Sequence, residues 1–379
     1  MSDLPFPIFF RGIPALEMYH QKTSSGLIRG ITTASLIELA KEFDDVRFPS
    51  CDFADVLVRL PESSAEYSGG GFFDLAVMCS ETPPDSSFFN ASGIGVCNFI
   101  YDAASRKYKD PLGMYREIRD KSMVTFSLKT AADVIDSALL FGRLGYSLPR
   151  EAKHGFYNSL RDFNDPSVWT NIPQIQQRYI LTTLLAGASP QRGFKVLKES
   201  GFISALWPEL TGLSQTVHAK EFHPEGDVWD HTMEVFKHRK TRDLRLSLGL
   251  LLHDVGKPKA RKESGNAFNR HAQIGASIAA RFLDRLGFDA SLRADVCFLV
   301  THHMLPPFIS RLPLFRTEKV MSSPLFPLLL ELFRCDLTST YRSPDDYYAA
   351  CKTYRKYLKN RRNPFRSAEG KKLLRLYVE

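Results

Sequence analysis

The run Arg245-Leu-Ser-Leu-Gly-Leu-Leu-Leu252 closes on His253 and Asp254, and Gly256 and Pro258 break the chain directly afterwards. A helix this apolar is expected to be buried, and the histidine and carboxylate at its end are expected to be buried with it. Leaving a neutral polar group unpaired in such a place costs on the order of 2–7 kcal/mol, and a charge costs more. A divalent cation satisfies the pair best, so further ligands are expected on other segments.

Three such segments carry them. Asp336 follows Leu329, Leu332 and Phe333 at helical offsets of seven, four and three, which places it on an apolar face. His302 follows Phe298 and Leu299 in the same way, and Pro306-Pro307 end that helix. His271 precedes Ile274, Gly275 and Ile278, and so starts an inward stripe. With His231 these residues predict a helical bundle holding one or two ions in its core. Imidazole and carboxylate without thiolate suit manganese, iron, cobalt, nickel or zinc. The six cysteines (Cys51, Cys79, Cys97, Cys297, Cys335, Cys351) form no C-x-x-C pair, which argues against a cysteine-rich zinc module.

The stretch His223-Pro-Glu-Gly-Asp-Val-Trp-Asp-His231-Thr, then His253-Asp-Val-Gly-Lys-Pro258, Arg270-His-Ala-Gln-Ile-Gly-Ala276 and His302-His303, closely resembles the HD domain attached to bacterial CCA-adding tRNA nucleotidyltransferases and poly(A) polymerases. Upstream, Leu197-Lys-Glu-Ser-Gly-Phe-Ile203 and Leu206-Trp-Pro-Glu-Leu210 resemble the connection before that domain, and Phe141-Gly-Arg-Leu-Gly-Tyr146 resembles the family's neck helix. The resemblance implies a metal-dependent phosphohydrolase acting on a nucleotide or RNA-end phosphate, with the ion activating water and offsetting phosphoryl charge. It implies His231, His253, Asp254 and Asp336 on one ion and Asp254 shared with a second on His271 and His302, with His303 as an alternate or outer ligand. Lys257 is expected either to contact the substrate phosphate or to complement a helix C-terminus.

The resemblance weakens where nucleotidyl transfer needs it. The family's Gly-Gly-x-x-Arg-Asp has as its counterpart Arg29-Gly-Ile-Thr-Thr-Ala34, with Thr33 and Ala34 in place of arginine and aspartate. The paired carboxylates that hold metal ions on one strand face read Asp52-Phe-Ala-Asp55, an offset of three that sends side chains to opposite faces of a regular strand. The family's nucleotide-selecting strand appears as Ser92-Gly-Ile-Gly-Val-Cys-Asn-Phe99, and its neck Glu-Asp-x-x-Arg as Lys129-Thr-Ala-Ala-Asp133. Asp52, Asp55 and Asp74 are the residual carboxylates of the head.

Gly, Pro and Ser breaks up to about residue 126 indicate strands and loops, and helical spacing begins at Ala131. The expected fold is mainly α with a smaller N-terminal α/β domain: a degenerate nucleotidyltransferase-like head (1–126), a helical neck (127–215), an all-α HD domain (216–346) and a basic tail (347–379). The net charge of +8 resides in that tail, which has ten Lys/Arg against two acids. Tyr347, Cys351, Tyr354 and Leu358 form an apolar stripe there, leaving Arg355, Lys356, Lys359, Arg361 and Arg362 for water or RNA phosphates. No apolar run reaches the ~20 residues that cross a bilayer, and the unpaired cysteines and unpatterned N-terminus point to the cytoplasm. Two other classes remain: an active RNA nucleotidyltransferase, favoured by domain order, and a non-catalytic RNA- or nucleotide-binding protein, favoured by the tail.

Overall fold

The computed structural model describes residues 5–22, 27–49, 54–61, 72–80, 92–217, 226–264, 268 and 270–362. The chain divides into two compact units, Met1–Pro208 and Glu209–Glu379.

The first unit begins with a seven-stranded mixed sheet of order β3-β4-β5-β2-β1-β6-β7. Its strands are β1 (Ile8–Arg11), β2 (Leu27–Thr32), β3 (Val46–Arg47), β4 (Val56–Pro61), β5 (Phe72–Cys79), β6 (Ile100–Asp102) and β7 (Lys107–Lys109). Only β2 and β5 pair in parallel, from Leu27↔Asp74 to Thr32↔Cys79. Leu75, Ala76 and Val77 of β5 are all fully buried, which explains its unbroken apolar run rather than an alternating one. Helices α1 (Ile13–Tyr19), α2 (Leu36–Glu42) and α3 (Tyr115–Asp120) accompany the sheet. The remainder of the unit is helical: α4 (Ala131–Leu139), α5 (Ala152–Ser159), α6 (Gln174–Leu185), α7 (Pro190–Glu199) and α8 (Phe202–Leu206).

Three segments of the head and neck are held by local or buried polar contacts. Ser92–Phe99, the counterpart of a strand, contains a 3-10 turn over Gly95–Asn98. There the buried Asn98 amide donates to the Ser92 and Ile94 carbonyls, so local side-chain bonding displaces a sheet ladder. Asp133 is a structural brace: its buried carboxylate accepts from the backbone N–H groups of Gly93, Lys129 and Thr130 and caps α4. Arg143 in Phe141–Tyr146 is likewise buried, 2.6 Å from Glu17 and donating to the Ala186 carbonyl.

The second unit is a helical bundle. After α9 (Pro208–Thr211) come α10 (Val228–Val235), α11 (Leu244–Leu252), α12 (Lys257–Ser264), α13 (His271–Arg285), α14 (Ala290–His302), α15 (Leu314–Met321), α16 (Phe326–Thr338) and α17 (Asp345–Arg362). Leu246, Leu248, Leu250, Leu251 and Leu252 of α11 are fully buried, with α14 and α16 packed on either side. Gly249 sits at that crossing, where a Cβ would come within 3.1 Å of Leu299 and Leu332. The final helix buries Ala350 and Tyr357 most deeply, with the Tyr354 ring 4.6 Å from that of Phe326. Its buried stripe is thus rotated from the expected Tyr347-Cys351-Tyr354-Leu358 line. Lys352, Arg355, Lys356 and Lys359 lie on its exposed side, while the side chains of Arg361 and Arg362, and all residues after them, fall outside the described set.

Candidate metal centre

Asp254 is the hub. It lies in the turn after α11, 2 % exposed, and its Oδ2 is 2.6 Å from Lys257 Nζ, 3.1 Å from His253 Nε2 and 4.0 Å from His231 Nε2. Its Oδ1 is 3.6 Å from His271 Nε2 and 3.8 Å from His303 Nε2. His231, on α10, also lies 3.0 Å from Asp336 Oδ1, on α16. The turn can press against the start of α13 because Gly256 has no side chain: a Cβ there would fall 2.1 Å from the His271 carbonyl. That glycine lets His253-Asp254 and His271 share one pocket.

The protonation pattern decides what this pocket can bind. His253, His271 and His303 each donate Nδ1–H to the carbonyl three residues earlier, those of Leu250, Phe268 and Val300, at 2.9, 2.8 and 2.7 Å. A carbonyl only accepts, so each Nδ1 carries the proton and each neutral ring offers a bare Nε2. His231 is fixed in the same way: Ser339 Oγ gives its proton to the Asp336 carbonyl and is left to accept from His231 Nδ1 at 3.3 Å. Four Nε2 lone pairs and two carboxylates therefore converge. His271 and His303 place theirs 3.1 Å apart. His253 Nε2 and Asp254 Oδ1 are buried without a hydrogen-bond partner among the described residues. Acceptors facing acceptors at these distances need a cation between them, and imidazole plus carboxylate fits a divalent transition metal.

Electrostatics keep the ligands in the required forms. Burial pushes the His303 pKa down to about 4, and the neighbouring His253 adds to this. Burial also lowers that of His271. Burial opposes ionisation of Asp254, but His253 and the Lys257 ammonium outweigh it and hold the carboxyl well below its ordinary range. Burial likewise opposes ionisation of Asp336, and the adjacent His231 ring outweighs it, so that this carboxyl too is held below its ordinary range.

His302 requires a correction. The structure does not bring it to the cluster; its ring packs 4.8 Å from that of Phe298, and His303 stands beside His271 instead. The buried face of α14 runs through Val296, Leu299 and Val300, which lie seven, four and three residues before His303. His302 continues the half-buried side through Phe298. Among the described residues, the triads able to hold an ion are His231/His253/Asp254 and Asp254/His271/His303. Lys257 opens α12 rather than closing a helix, so C-terminal charge complementarity does not explain it; it pairs with Asp254 and lies over the Phe268 ring. Ser339, three residues after Asp336, carried no motif that would have pointed to it.

Of the residual head carboxylates, Asp55 and Asp74 are set apart along the sheet. Asp52 lies outside the described residues, as does the stretch containing His223. Asp55 accepts from the Cys79 backbone N–H at 2.8 Å. Asp74, whose side chain is not described, is five residues from Cys79 along β5, about 16 Å at strand rise. Asp55 and Asp74 thus mark opposite ends of one strand.

Residues 227–333 match the family model described as HD domain. Over 119 residues the chain is 29% identical to the Multifunctional CCA protein of Psychromonas ingrahamii and 33% identical to that of Shewanella denitrificans, a stretch covering 31% of this chain and 29% of each relative's length. The fold is similar to that of the Bacillus stearothermophilus CCA-adding enzyme in complex with CTP, with a TM-score of 0.53 at 13% identity over 99% of this chain and 84% of that one. It is similar also to a tRNA nucleotidyltransferase complexed with a primer tRNA and an incoming ATP analog, with a TM-score of 0.50 at 12% identity over 96% and 98% of the two chains. Among the described residues no helix is long and apolar enough to cross a membrane. Residues 227–333 thus match an HD domain, in a chain whose fold is similar to that of the CCA-adding enzymes.

Proposed function

We propose that the second unit is a divalent-metal-dependent phosphohydrolase acting on a nucleotide or RNA-end phosphate ester. The observation that carries this reading is the set of four histidines whose Nδ1 protons are committed to oxygen acceptors, which leaves four Nε2 atoms turned towards Asp254 and Asp336. His231, His253, Asp254 and Asp336 would hold one ion, and Asp254 would be shared with a second on His271 and His303. A bound ion supplies Lewis acidity and an activated water for attack at phosphorus. Asp336 retains 28 % side-chain exposure where the other carboxylate has 2 %, so substrate would enter on the α16 side. Lys257 brings an ammonium to Asp254 and would meet a phosphoryl oxygen beside it. The free thiols of Cys79, Cys97, Cys297, Cys335 and Cys351 suit a reducing cytoplasm.

The test is metal uptake and turnover by the full chain. After chelation, titration with manganese, cobalt or nickel is expected to restore one or two ions per chain. Hydrolysis of at least one of a 2′,3′-cyclic nucleotide, a nucleoside monophosphate and a model diester is expected to return with them. No uptake by any of the three metals would overturn the proposal.

Nucleotidyl transfer by the first unit is the second reading, favoured by its likeness in fold to CCA-adding enzymes. Against it stand Thr33 and Ala34 at the motif's position and the separation of Asp55 from Asp74. No CMP or AMP incorporation into a tRNA 3′ end is expected under any of these metals. Radiolabel incorporation abolished by Asp55→Ala would reverse the order of the two readings.

A further inference from the structure

In the second unit, α16, the turn after it and α17 enclose a groove of about 1140 Å³. Its walls carry Lys352, Arg355, Lys356 and Lys359 from α17, joined by Lys240, Arg342 and the Glu331-paired Arg334, and among the described residues no acidic residue lines it. The four α17 cations are spaced three, one and three residues apart, so they form one stripe along the helix. Among the described residues none of these four side chains has an ion-pair or hydrogen-bond partner. Like charges held this close repel one another, and helix stability alone gives no reason to gather them. Tyr347 and Tyr348 line the same groove one turn before the stripe, Tyr348 being 65% exposed.

We propose that this groove binds the phosphate backbone of a single-stranded nucleic acid, with the Tyr348 ring as a stacking platform for a base. From Tyr348 to Lys359 the helix rises about 16 Å, room for at most about five phosphates at the ~3.4 Å spacing of a stacked strand and for fewer in the more extended, unstacked one. A concave cationic track beside an exposed aromatic ring suits a strand whose bases unstack onto protein. A flat lipid surface has no use for the concavity, and an acidic peptide has no base to set on the tyrosine. The site is separate from the metal centre's chemistry: it stands if the hydrolase reading fails.

The experiment uses the full chain and a fluorescent oligouridylate, with its deoxy counterpart and inorganic polyphosphate as further probes. The variant Lys352→Ala/Arg355→Ala/Lys356→Ala/Lys359→Ala is expected to lose most of its oligonucleotide affinity. Its salt dependence should flatten by roughly two to three units of log–log slope, at about 0.7 per phosphate on single strands. Tyr348→Ala is expected to weaken oligonucleotide binding roughly tenfold and to leave polyphosphate binding unchanged. Replacing the three lysines by arginine should retain affinity, and far-UV circular dichroism with metal content reports folding of every variant. A parallel ribo- and deoxyribo-oligonucleotide response supports a backbone-reading groove, and a ribo preference supports RNA as its occupant. Unchanged affinity and salt slope in the folded quadruple variant would overturn the proposal. Equal binding of polyphosphate, together with no effect of Tyr348→Ala on the oligonucleotide, would also overturn it.

Discussion

Asp254→Ala is expected to abolish metal binding and all phosphoesterase activity. Each Asp254 oxygen faces a different pair of histidines, Oδ2 towards His231 and His253 and Oδ1 towards His271 and His303, so a single truncation strips both halves of the centre. Losing even an outer partner of a metal ligand typically weakens affinity 10–100-fold. Losing the shared carboxylate should exceed that range and take turnover to background. There is a structural cost as well, because Lys257 Nζ loses its partner at 2.6 Å while its side chain is only 13 % exposed. Breaking a buried pair by removing one partner costs on the order of 3–5 kcal/mol, and a flexible lysine that can reach water should fall at the low end. Metal content by mass spectrometry, activity and a thermal melt check the three effects separately. Full metal content in the variant would show that Asp254 is not the hub. Asp254→Asn separates the loss of charge from the loss of packing.

Much of this centre was legible because the residues concerned violate a rule. A histidine and an aspartate at the end of a leucine-rich helix have no bland explanation, and Gly256 and Pro258 set where that helix stops. Asp336 could be placed because Leu329, Leu332 and Phe333 define one face unambiguously. The partners that make the histidines competent were not legible. The carbonyls of Leu250, Phe268 and Val300 are backbone atoms, so no residue type announces them, and Ser339 is one serine among many. In the head, the expectation of a strand at Ser92–Phe99 failed because the Asn98 side chain satisfies backbone groups locally, a choice invisible to apolar alternation. In α17 the most buried positions include Ala350, which a search for large apolar residues passes over. The two-unit division likewise depends on contacts remote in sequence, which group the sheet with α4 to α8.

The adjacent histidines at the end of α14 offer the sharpest discrimination. A single residue step turns a helix by about 100°, so two neighbours cannot both enter one pocket. The sequence stripe Phe298-Leu299 admits either of them, since Leu299 lies three residues before His302 and four before His303. The structure resolves the choice through Val296 and Val300, whose burial continues to His303 at offsets of seven and three. His303→Ala is therefore expected to lower affinity for manganese or cobalt more than tenfold, since it removes the Nε2 that faces both His271 at 3.1 Å and Asp254 at 3.8 Å. His302→Ala is expected to leave affinity and turnover within about twofold. It removes a half-buried ring packed edge-on against Phe298, at a cost to stability of about 1 kcal/mol, in line with ordinary aromatic contacts. Calorimetric titration of both variants with the same metal decides the point. Equal losses would mean that both histidines serve the site in turn, and a loss confined to His302→Ala would return the ligand to its neighbour and displace His303 from the centre.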